Sequence, residues 1–96
     1  MLHLITQSPV ELSLFNRIAA DDTLLFIRSA VFVVISGHAL NEQLNSLLKQ
    51  NQLCVLTTDL LARGILAEQV LSGIEIIDYA EFVDLTLQHS VVHSWG

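Results

Sequence analysis

Four short runs of the chain are apolar almost throughout rather than at alternate positions. They are residues 2–5, 24–27, 53–56 and 74–77. Continuous apolarity is expected of strands covered on both faces, because a strand with one wet face alternates. Stretches with helical spacing of apolar residues lie between the runs, and parallel strands need crossovers of that kind. The pattern predicts an α/β fold with a mainly parallel sheet of four or five strands. Residues 91–95 are the candidate fifth strand, at an edge.

The crossovers carry their own signals. Ser8 can cap a helix with Pro9 in its first turn, and Glu11 follows Ser8 by three residues, as in a capping box. Val10, Leu14, Phe15 and Ile18 would then share one face. A second helix is predicted over residues 40–50, with Leu40, Leu44, Leu47 and Leu48 inward. A last helix is predicted over 79–89, burying Tyr79, Phe82, Val83, Thr86 and Leu87 and turning Glu81, Asp84 and Gln88 to water. Residues 30–35 are rich in β-branched side chains, which favour a strand.

With 96 residues and no Pro/Gly/Ser-rich linker, a single domain over residues 1–96 is expected. A chain this small hides only about 60 to 65% of its unfolded surface. Yet 52% of its residues are apolar, 15% are charged, and the mean hydropathy is +0.57. The surplus apolar surface calls for a membrane or a subunit interface. The longest apolar run, residues 30–35, is far short of the roughly 18 to 20 residues that span a bilayer, so association with other subunits is the expectation. A net charge of −6, with only Arg17, Arg28, Lys49 and Arg63 as fixed cations, opposes direct contact with nucleic acid. No signal-peptide pattern opens the chain, and a lone cysteine allows no internal disulfide, so a reducing cytoplasm is expected.

Cys54 is the only thiol. A sulfur carrier needs an exposed, activated thiolate, whereas Cys54 falls inside a predicted strand with no cation among its sequence neighbours, and reads as a packed structural cysteine. Asp59 and Arg63 are four apart and can pair on a short helix that Thr58 caps and Gly64 ends. They also begin just past the third strand's carboxyl end, where open α/β sheets place ligands and partners. Asp78, Tyr79 and Asp84 read either as a site or as a helix cap and rim-packed tyrosine. His89 and His93 have the spacing of a two-histidine metal motif, but the predicted helix ends between them. His89 then reads as a cation near a helix carboxyl terminus. His3 reads as a hydrogen-bonded core histidine or, less simply, a catalyst. No glycine-rich phosphate loop, Cys-x-x-Cys pair, Gly-x-Ser-x-Gly elbow or carboxylate dyad is present, so no cofactor or metal is expected.

Several short motifs stand in a telling order. Met1-Leu2-His3-Leu4 and Ser8-Pro9 open the chain. Thr58-Asp59-Leu60-Leu61-Ala62-Arg63-Gly64 follows, then Ile77-Asp78-Tyr79-Ala80-Glu81-Phe82-Val83-Asp84-Leu85, His89 and Ser94-Trp95. From end to end the combination resembles the TusB/DsrH family of sulfur-relay subunits. The resemblance implies a small Rossmann-like or flavodoxin-like (DsrE-like) fold in three layers, with residues 30–35 forming a short helix. It implies a heterohexamer with TusC-like and TusD-like partners that passes persulfide sulfur, through transient carrier proteins, toward 2-thiolation of a tRNA wobble uridine.

Sulfur acceptance in the family belongs mainly to the TusD-like partner, so this chain would be a scaffold without covalent chemistry. Asp59, Arg63, Tyr79 and Trp95 would then be candidate interface residues, Trp95 as an anchor in a pocket of this or a neighbouring subunit. The sequence departs from the pattern at Arg28-Ser29, where members often have Asp-Gly, and residues 10–20 lack the cysteine that some members carry. Two other readings stay open: a subunit of a DsrEFH-like sulfur-oxidation complex, and a sulfurtransferase acting through Cys54.

Overall fold

The computed structural model describes residues 1–95. Five parallel strands form one sheet: β1 (Leu2–Ile5), β2 (Thr23–Phe26), β3 (Gln52–Leu56), β4 (Glu75–Ile77) and β5 (Val92–Trp95). Their spatial order is β4-β3-β2-β1-β5. The chain steps strand by strand from β1 to the β4 edge, then recrosses the sheet to lay β5 beside β1. Right-handed crossovers in opposite directions fall on opposite faces, which gives the three layers that the fold class requires.

Side chains alternate between two cores. On one face Ile5, Leu24, Phe26, Leu53 and Val55 pack with Leu14, Val31, Val34, Leu44 and Leu60 from the first three crossovers. On the other, Leu2, Leu25, Cys54, Leu56 and Ile77 pack with Leu85 and Phe82 of α3 (Tyr79–Gln88). Both faces of β2 are therefore dry, and all four of its residues are buried.

The crossovers differ in detail from their sequence patterns. Ser8 caps nothing: its backbone N–H donates to the Ser29 hydroxyl at 3.1 Å, which ties this loop to the next crossover. The helix begins later, as a 3₁₀ helix over Leu12–Arg17, with Glu11 at its N-cap. Residues 30–35 do belong mostly to a helix, a 3₁₀ helix over Arg28–Val34, and not to a strand. Val31, Val33 and Val34 are all buried, and the helix packs against the sheet, the 41–47 helix and α2 (Thr57–Ala62), so tertiary packing outweighs local preference. The predicted 40–50 helix is real but shorter, α1 (Asn41–Leu47), and of its four expected inward leucines Leu44 alone is fully buried.

Candidate functional site

Cys54 lies on an interior strand, pointing to the α3 side, and is completely buried. Its register partner on β4 is Glu75, and Glu81 approaches from α3. Burial, reinforced by these two carboxylates, pushes the thiol up to about 12. At neutral pH the group is a protonated thiol, the wrong form for a nucleophile. The cleft above it, about 190 Å³, is lined by Gln52, Glu75, Glu81, Asp84 and Gln88 among others, with no cation in the lining.

Asp59 on α2 meets Arg63, the C-cap residue that follows the helix, with Nη1 of Arg63 3.9 Å from Oδ1 of Asp59. The second carboxylate oxygen does more: Oδ2 accepts the Arg28 backbone N–H at 2.7 Å. Asp59 thus holds the first residue of the neighbouring 3₁₀ helix and joins the segments that leave β2 and β3. Arg28 adopts a left-handed φ of 54°, an uncommon conformation for a residue with a Cβ, and the Asp59 contact engages its backbone N–H there. Thr58 is not the cap, because α2 starts one residue earlier, behind Leu56. Gly64, at φ 70°, ends the helix: its N–H bonds to Leu61 and that of Ile65 to Leu60, a paired closure of the last turn.

Trp95 lies on the opposite sheet face from α3, at the β5 edge. Its Nε1–H donates to Nδ1 of His3 at 3.0 Å. Nδ1 is therefore the acceptor nitrogen, and Nε2 carries the proton toward Oδ2 of Asp22, 2.9 Å away. Asp22 also accepts from the Ala19 N–H at 3.0 Å and from the Met1 amino group at 3.1 Å. Burial alone would raise the Asp22 carboxyl, but the donors from His3, Ala19 and Met1 outweigh it and hold the group at about 2. His3 is thus a core histidine with both ring nitrogens engaged. The exposed side of the indole walls a cleft of about 350 Å³ with Ile5, Val10 and Arg17, whose guanidinium lies 5.6 Å from the ring centroid. Asp22, which organises this network, carries no sequence signal beyond its place directly before β2.

Asp78 caps α3 in a full capping box, its Oδ1 accepting from Glu81 N–H at 2.8 Å while Glu81 Oε1 accepts from Asp78 N–H at 3.2 Å. The inward face of α3 differs from the expected one. Leu85 is its buried residue, with Phe82 half-buried beside it, while Tyr79, Val83 and Leu87 are exposed. Apolar residues occur almost all round this helix, so periodicity offered two stripes, and the sheet covers the one that includes Leu85. Tyr79 packs edge-on against Phe82, ring centroids 5.8 Å apart, with most of its surface in solvent. His89 follows the helix as its C-cap, and His93 stands on β5 with its ring 4.3 Å from that of Trp95. Among the described residues no three His, Cys, Asp or Glu side chains gather as a metal site. Asp59 and Arg63 are thus brought together, whereas Tyr79 and Trp95 lie on opposite faces of the sheet.

Among the described residues no helix is long and apolar enough to cross a membrane. The family described as "DsrH like protein" matches residues 7–92. Proteins named "Protein TusB" are similar over the whole chain. The one from Yersinia enterocolitica is 35% identical and that from Photorhabdus laumondii 36%, each match covering 99% of this chain and 100% of the relative. Among solved structures, a protein of unknown function from Methanobacterium thermoautotrophicum superimposes with a TM-score of 0.78 at 11% identity, covering 98% of this chain and 96% of that one. The ychN protein from E. coli does so with a TM-score of 0.76 at 21% identity, covering 98% and 97%. At those identities the likeness concerns the fold alone.

Proposed function

The chain belongs to the DsrH-like family, and we propose that it is a non-catalytic subunit of a cytoplasmic sulfur-relay complex that leads to tRNA 2-thiouridine. Its partners in this reading are TusC-like and TusD-like chains, two copies of each of the three subunits. Its role is positional: it completes the assembly that presents a partner's reactive cysteine to incoming sulfur carriers. The observation that carries the reading is Cys54. A relay group must be deprotonated, reachable and able to leave, whereas the only thiol here is buried, neutral and bordered by carboxylates. The net charge of −6 supports leaving the tRNA to another subunit.

The test is co-expression with TusC-like and TusD-like chains, followed by size-exclusion chromatography. The expected result is one stable heteromer containing all three. A chain that elutes alone as a monodisperse monomer at tens of micromolar, with both partners present, would refute the proposal.

A further inference from the structure

α3 is apolar on the side that the sheet does not use. Tyr79, Ala80, Val83 and Leu87 run along its outer side at helical spacing, with Tyr79 64%, Val83 38% and Leu87 78% exposed. A surface helix ordinarily places polar residues there. One flank of this stripe is acidic: Asp84 adjoins it on α3, and Glu81 and Glu75 line the cleft beyond. No lysine or arginine occurs after Arg63 to balance them. A second copy of this chain, itself at −6, would set carboxylates against carboxylates, and anionic lipid or nucleic acid would meet the same repulsion. The complementary surface is apolar at its centre and basic at its edge.

We propose that the outer face of α3 docks a different protein chain through a surface whose apolar centre is flanked by lysine or arginine. The inference rests on the reading of this chain as a heteromer subunit and deepens it, by naming the face and the charge of the partner. Tyr79, large and semi-rigid with a polar tip, is the anchor, and Val83 and Leu87 extend the contact by two turns. Asp84 steers and orients the approach from the rim.

The experiment measures assembly of the full chain with TusC-like and TusD-like chains, using Leu87→Asp and Asp84→Lys. Both positions are exposed, so circular dichroism and melting of the isolated variants should match the parent. Leu87→Asp should weaken assembly at least about tenfold. Asp84→Lys should weaken it about tenfold at low salt and less than about threefold near 0.5 M salt, because a rim charge is screened. Assembly at parental affinity by both variants overturns the α3 surface and leaves the relay-subunit reading standing. Failure of the parent chain to form any heteromer overturns both. A homodimer of the parent that Leu87→Asp abolishes, or anionic-vesicle binding abolished by the same change, also overturns the proposed occupant.

Discussion

Asp22→Asn probes the buried ionic network around His3 and has a magnitude that follows from geometry. The carboxylate of Asp22 is held from the ordinary 3.8 down to about 2 by donors from His3, Ala19 and Met1, against the opposing effect of burial. A carboxyl group with a lowered folded-state value favours the folded state when ionised. Its contribution is complete above the unfolded value and disappears as pH falls through the folded one. The side chain is only 12% exposed, so solvent screening removes little. Between pH 5 and pH 2 the parent should lose about 2 kcal/mol of stability through this residue alone. Other carboxylates titrate in parent and variant alike and cancel in the difference. Urea unfolding, followed by the fluorescence of Trp95, reads the strand that the network clamps. The Asn variant should be less stable at pH 6, and its deficit should shrink by about 2 kcal/mol on reaching pH 2. Parallel pH profiles for the two proteins would refute the assignment of Asp22 as an ionised clamp.

The direction in which α3 faces gives a paired test: Leu85→Ala should cost about 2 to 4 kcal/mol in urea unfolding, whereas Leu87→Ala should stay within about 0.5 kcal/mol. Equal costs would mean that the helix is rotated from the position described. Gly64→Ala should destabilise by about 1 kcal/mol, because φ at this residue is 70° and an added Cβ disfavours that region, although it would meet no neighbouring atom. A thermal melt unchanged from the parent would show that α2 ends in another way.

What the sequence makes legible here is what depends on contrast with water. The runs 2–5, 24–27, 53–56 and 74–77 all become strands; the first three are largely dry on both sides, whereas β4, at the sheet edge, leaves Glu75 and Ile76 exposed. β5 is readable only as a weak candidate, since Val92, His93 and Ser94 are exposed, and its place is set by backbone pairing to β1 and by the Trp95–His3 hydrogen bond. The inward side of α3 is not legible, because Tyr79, Val83 and Leu87 are as apolar as Phe82 and Leu85, and composition does not say which is covered by this chain. Nor is the Asp22 network, which joins β1, the turn before β2 and β5, segments that are remote in sequence. Ser8 shows the limit of a motif: the capping-box spacing is present, but its backbone N–H finds Ser29 in another crossover. Asp78 shows the converse, since its box with Glu81 is local and forms as its spacing suggests.

The central claim is that this chain serves sulfur transfer without a reactive thiol of its own. The most direct measurement is 2-thiouridine formation by a reconstituted complex carrying Cys54→Ala, a substitution that removes the only sulfhydryl and leaves a small apolar side chain at the same buried position. It should cost on the order of 1 kcal/mol in stability and leave transfer within about twofold of the parent. Loss of transfer in a variant complex that folds and assembles normally would contradict the account and make Cys54 a sulfur carrier.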